Sequence, residues 1–222
     1  MAVQYLLIGV GVLVLVWIIT PFGDEALAAL TVVSRLELLT SALFLNLSGA
    51  LMVFTAQNTG AGQTARVRDG VRHTVWLGVA LTAVVSLLLL TERGPVAALF
   101  SGSDETRLIT ERYILITAPF FLCYTLTVVL HGWFNGIART VVPLVCTVLS
   151  LGVVRLPLSY GLGHARGIDG VMWATVIGWA AGLVYTLLAA ARRAGSPPQG
   201  GHDRDHDIKA GPMATSDNWG DR

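Results

Sequence analysis

The stretch VWLGVALTAVVSLLLL, residues 75–90, carries no charge, and its polar groups are the hydroxyls of Thr82 and Ser86. A bilayer core about 30 Å thick takes ~20 helical residues at ~1.5 Å each. Lipid offers no partner to a backbone N–H or C=O, so an apolar run of this kind satisfies its backbone as a helix. Read outward, the chain repeats the pattern five more times: residues 3–20, 26–56 (most apolar from Leu38), 113–133, 141–160 and 171–191. The sequence predicts an all-α polytopic membrane protein with six transmembrane helices in residues 1–193.

Composition agrees. Of 222 residues, 54% are hydrophobic and 13% charged, with mean hydropathy +0.65. Soluble domains carry about 25% charged residues. The charges sit in connections and at the C-terminal end, and no basic face of the kind that binds nucleic acid is present. Cys123 and Cys146 both fall inside spans, without the spacing of a disulfide framework or a metal site. Met1-Ala2-Val3-Gln4 lacks the positive charge of a signal peptide, and the apolar run after it is long for one. The first stretch therefore reads as a membrane span.

Pro21-Phe22-Gly23 ends span one. Gly94-Pro95 and Ser101-Gly102-Ser103 mark a loop with a short surface helix expected at 96–100. Gly161 and Gly163 are expected to end span five. Residues 194–222 are rich in Gly, Pro, Asp and His and cannot bury enough surface to offset ordering entropy, so they read as a disordered polar tail. The His202–Asp207 run belongs to it and reads as solvated. Arg66, Arg68, Arg72, Arg139, Arg192 and Arg193 fall at alternate connections. The excess of Lys and Arg on the cytoplasmic side predicts both termini in the cytoplasm.

No span contains paired carboxylates, HExxH or GxSxG, which argues against an enzyme and against a metal centre. The few polar residues in or near the spans are the candidates for function. Arg35 and Glu37 are two apart and do not face each other on a helix. With Arg155, which is placed to snorkel to the interface, they are expected as gating or structural charges near the outer end. Asn46, Tyr124, His131 and Asn135 are candidates to line a cavity. His131 reads either as a proton acceptor near neutral pH or as a neutral imidazole bonded to a neighbouring helix. Pro119 removes a helical hydrogen bond and is the candidate hinge. Gly132-x-x-x-Gly136 and Gly178-x-x-x-Gly182 permit close helix approach.

Ala56-Gln57-Asn58-Thr59-Gly60-Ala61-Gly62 resembles the Q-N-x-G-A-G signature of the multidrug and toxic compound extrusion (MATE) transporters. Three further blocks are similar to that family in order and spacing: Gly132–Thr140 with Pro143, Arg155–Tyr160 followed by Gly167–Ala174, and Gly23–Ala29 with Arg35. The resemblance covers residues 5–193. It implies one six-helix lobe of a two-lobe transporter, and the polar segment after span six marks it as the C-terminal lobe. It further implies export of cationic or amphipathic organic compounds driven by inward Na⁺ or H⁺, with no cofactor. The partner is then a second lobe, either another copy of this chain or a separately encoded N-terminal lobe. Gln57, Asn58, Gly60, Ala61 and Gly62 are expected to shape the cytoplasmic turn, with glycine supplying tight backbone geometry. One branch of the family places carboxylates in the first and fourth helices of this lobe. Residues 3–20 and 113–133 contain none here, so no ion site is assigned. A truncated, non-transporting lobe and a lipid-linked oligosaccharide flippase of the same superfamily are the alternative readings.

Overall fold

The structure, a computed structural model, describes residues 2–194, with side chains from 6 to 193. Residues 195–222, which hold nearly all of the expected polar tail, lie outside the described residues. Every regular element among those described is helical. Five helical runs are long and apolar enough to cross a membrane: Asp24–Gly60, Thr64–Thr91, Asp104–Gly136, Val141–Arg166 and Ile168–Arg193. A shorter apolar run, Leu6–Phe22, makes the sixth.

The elements are α1 (Ala2–Ile19), α2 (Asp24–Gly60), α3 (Thr64–Thr91), α4 (Arg93–Phe100), α5 (Asp104–Thr117), α6 (Phe121–Gly136), α7 (Val141–Thr147), a π-helical segment (Val148–Arg155), α8 (Leu156–Arg166) and α9 (Ile168–Ala194). The fourth span is α5 and α6, joined by a 3₁₀ turn at Ala118–Phe120. The fifth is α7, the π segment and α8. Several helices outrun their apolar cores. Helix α3 begins at Thr64 rather than near residue 75, because no proline interrupts residues 64–74 and Arg is a good helix former. Span five runs through Gly161 and Gly163 and stops at Gly167. The surface helix begins at Arg93, slightly before its expected start.

Helix α6 lies at the centre, against α2, α3 and α9, while α9 also packs on α8 and the π segment. Helix α1 packs mainly on α7 and α8. Alternate connections gather at opposite ends. At one end, Ser103 caps α5 by accepting the Thr106 N–H at 3.2 Å. Its hydroxyl also donates to Glu25 Oε2 at 2.6 Å, and Thr106 donates to the same oxygen. Arg112 and Asp169 pair at 3.3 Å at this end as well. At the other, Arg193 lies over the Trp133 ring at 5.9 Å.

Hydroxyls inside the spans mostly answer their own helix. Thr40, Thr74, Thr82, Thr117, Thr127 and Thr186 each donate to the carbonyl four residues earlier. This satisfies a hydroxyl where water is absent. Three bonds tie helices together: Ser48 donates to Val128 O at 2.7 Å, the Thr82 and Thr125 hydroxyls share a hydrogen bond at 2.8 Å, and Ser86 donates to Ala118 O at 2.8 Å. The last bond reaches a carbonyl in the turn that holds Pro119.

Candidate functional site

Two glycine pairs frame the interior. A Cβ added at Gly132 would lie 2.2 Å from Ser48 O, and one at Gly136 would lie 2.6 Å from Met52 O. Helix α6 therefore rests directly on the α2 backbone. A Cβ at Gly178 would meet Arg155 Cβ at 3.0 Å and Ser150 O at 3.1 Å, and one at Gly182 would meet Ser150 Cβ at 3.2 Å. The π segment explains that second contact. Its i→i+5 hydrogen bonding brings residues five apart onto one face, so Ser150 and Arg155 both turn toward α9. In an α-helix of 3.6 residues per turn they would diverge.

Between the glycine pairs lies a cavity of about 520 Å³, within the 300–1,000 Å³ usual for small-molecule sites. Its wall includes Tyr124, His131 and Asn135 from α6, Ser48 and Met52 from α2, and Trp179 from α9. Tyr124, Trp179 and Phe121 form an aromatic cluster with ring centroids 5.2–5.6 Å apart. His131 Nε2 lies 3.4 Å from Thr186 Oγ1, a long contact, since the Thr186 hydroxyl already donates to Gly182 O at 2.8 Å.

A smaller void of about 80 Å³ lies on the Glu25 side, lined in part by Ala26, Ser34, Tyr113 and Thr175. Glu37, Arg155, Val12 and Leu151 line both spaces and form the layer between them. The Tyr113 hydroxyl donates to Glu37 Oε1. Glu37 and Arg155, expected as gating or structural charges near the outer end, are half-buried and line these two spaces. The physical reason for Arg155 is the π register, which turns it to α9 rather than outward. For Glu37 it is the helix phase that faces Tyr113 of α5. Arg35, two positions earlier, is exposed.

Asn46 stands apart from the other cavity candidates. It is exposed, its Nδ2 donates to Ala42 O at 2.8 Å, and it is absent from the cavity wall. It sits two positions from Ser48, and on a helix that spacing turns a side chain away from its neighbour's face. Pro119 is exposed within its 3₁₀ turn.

The Gln57–Gly62 block ends α2 away from the cavity. Ala61 N–H donates to Gln57 O at 3.1 Å, Gly62 N–H to Thr59 O at 3.0 Å and Gln63 N–H to Asn58 O at 2.8 Å. Gly62 has φ +71°, the left-handed residue of a Schellman-type stop. Asn58 is buried and donates from Nδ2 to Phe54 O at 2.8 Å. Gln57 and Gly60 are exposed.

The sequence reading missed Trp179 and Ser150. Their signal was present: each is adjacent in sequence or in contact with Gly178 of the second glycine pair.

A six-span helical bundle folded around a small-molecule-sized cavity defines a multi-pass integral membrane protein. The comparisons sharpen this. A family model described as MatE matches residues 1–161, and the chain belongs to that family. A probable multidrug resistance protein NorM from Aromatoleum aromaticum is 34% identical over 176 residues, covering 76% of this chain and 36% of the relative. The probable multidrug resistance protein YoeA of Bacillus subtilis is 21% identical over 188 residues, covering 84% and 40%. In fold, the chain is similar to the Vibrio cholerae MATE transporter VcmN in its bent form, with TM-score 0.80 at 20% identity, covering 86% of this chain and 43% of that one. The chain spans less than half the length of these relatives.

Proposed function

We propose that this chain is one lobe of a two-lobe antiporter that exports cationic or amphipathic organic compounds, driven by an inward Na⁺ or H⁺ gradient. The observation that carries the reading is the 520 Å³ cavity, walled by Tyr124, Trp179, His131 and Asn135 inside a bundle of the MatE family. Apolar and aromatic walls with a few convergent polar groups suit amphipathic ligands. The basic residues at alternate connections support a topology with both termini in the cytoplasm. The second lobe is a copy of this chain or a separate six-helix chain. Two copies with this topology insert in the same orientation, which suits a homodimer.

The test is ethidium efflux from vesicles that hold this chain alone, under imposed Na⁺ or proton gradients, with oligomer mass measured alongside. Gradient-dependent efflux by a dimer supports a self-sufficient pair of lobes. Folded protein that moves no ethidium under either gradient, alone or with a co-expressed six-helix partner, overturns the reading.

A further inference from the structure

The large cavity is lined by one arginine whose hydrogen bonding is incomplete. Arg155 lines it, and the Nε of that guanidinium is buried without a hydrogen-bond partner. The ion pairs among the described residues are Arg107–Glu111 and Arg112–Asp169, and Arg155 is in neither. Glu37 shares the same layer, but it accepts the Tyr113 hydroxyl and makes no ion pair with Arg155. A buried donor on a charged group is costly to leave unmade. A guanidinium offers a planar fork that matches a carboxylate.

The aromatic shelf lines the same cavity. Gly178, which precedes Trp179, has no side chain where the Arg155 Cβ closes in. The bare glycine therefore lets the arginine stem pack against α9, the helix that carries the indole. Tyr124 continues the shelf, its ring centroid 5.6 Å from that of Trp179.

We propose that Arg155 and the Tyr124–Trp179 shelf form a subsite for aromatic compounds bearing a carboxylate. The acid pairs with the Arg155 fork, and the ring lies against Tyr124 and Trp179. This rests on reading the cavity as the substrate site. It extends that reading to acidic and zwitterionic aromatics, for which Glu37 in the same wall can receive an ammonium group.

The experiment uses the full chain in lipid nanodiscs and three radiolabelled probes that share one ring: 1-naphthoate, 1-naphthylmethanol and 1-naphthylmethylammonium. The wild-type chain binds naphthoate about tenfold or more tighter than the alcohol. Arg155→Gln brings naphthoate down to the affinity of the alcohol, and Arg155→Lys retains part of the preference. Trp179→Leu weakens all three probes together. Glu37→Gln, which removes the nearby negative charge, leaves or raises the naphthoate preference. Circular dichroism and monodispersity establish that each variant is folded. If Arg155→Gln does not fold, Arg155→Lys and Glu37→Gln carry the test. Equal binding of naphthoate and alcohol by the wild type overturns the proposal. So does preference for the ammonium probe, an Arg155→Gln chain that still prefers naphthoate, or a Glu37→Gln chain that loses the preference. Ethidium efflux without naphthoate preference removes this subsite alone. Naphthoate preference without any gradient-driven efflux removes the transport reading and leaves the subsite standing.

Discussion

The two Gly-x-x-x-Gly pairs share a spacing and differ in what they meet. Gly132 and Gly136 of α6 lie against backbone oxygens of α2, at 2.2 and 2.6 Å from an added Cβ. Gly178 and Gly182 of α9 meet mostly side chains of span five, at 3.0–3.6 Å. The first pair presses two helices together and is supported by the Ser48–Val128 O bond. The second leaves room for the Arg155 stem and faces a segment wound as a π-helix. One motif therefore serves a tight helix seam and a looser one, and both border the cavity. Spacing alone reports that helices approach, and the partner surface decides what the approach is for.

That contrast can be broken directly. Gly132→Val drives a branched side chain into the α2 backbone, so α2 and α6 must part. Overpacking and the lost Ser48 bond together cost about 3 kcal/mol or more. The expected result is a sharp loss of monodisperse protein in size-exclusion chromatography.

Deleting Gly152, which is exposed with open space around its α-carbon, removes the surplus residue of the π segment. The segment can then close as an α-helix in which Ser150 and Arg155 are four apart, about 40° from each other at 100° per residue, and still share a face. Helix content measured by circular dichroism and the naphthoate preference should both persist. Lost preference would mean that the π winding itself, beyond the face it sets, positions Arg155.

Smaller effects sharpen the comparison. Gly178→Ala should cost about 1–2 kcal/mol and weaken naphthoate binding, because the added methyl displaces the Arg155 stem. Gly182→Ala should cost about 1 kcal/mol at most and spare binding, since its neighbours sit at 3.2 Å or beyond. Thermal unfolding in detergent, paired with probe binding, separates the two.

A final variant lies outside both seams. Ala138 has φ +59° and occupies, after α6, the place Gly62 holds after α2, with Arg139 N–H donating to Phe134 O at 2.9 Å. Ala138→Gly relieves the left-handed strain and should stabilise by ~1 kcal/mol. Gly62→Ala should lose a similar amount. An Ala138→Gly chain less stable than wild type would count against strain at this turn.

Much of this architecture was legible in the sequence because lipid imposes long apolar runs. The six spans, the surface helix near residue 96 and the glycine pairs could all be read from composition and spacing. Tyr124, His131 and Asn135 could be guessed as cavity candidates because polar groups inside spans stand out. The rotational phase of each helix could not be read. Asn46 and Ser48 are two residues apart, yet one is exposed and the other lines the cavity. Nothing in VLSLGVVR, residues 148–155, announces a π-helix, so Arg155 read as an interfacial anchor. The partner of Glu37 was hidden for a related reason, because Tyr113 lies on another span.

The π segment also sets a rule for anyone who moves parts between such proteins. A helix with one surplus residue is out of step with a plain α-helix beyond that point. An alignment that matches span five residue for residue to a relative wound only as α-helix would be correct on one side of the segment and rotated on the other. A chimera that replaced residues 148–154, one for one, by a stretch wound only as α-helix would then carry Arg155 in its sequence and present a different side chain to the cavity. Grafts into this lobe should be phased on Ser150, Arg155 and Gly178 in three dimensions, with the extra residue counted as part of the site.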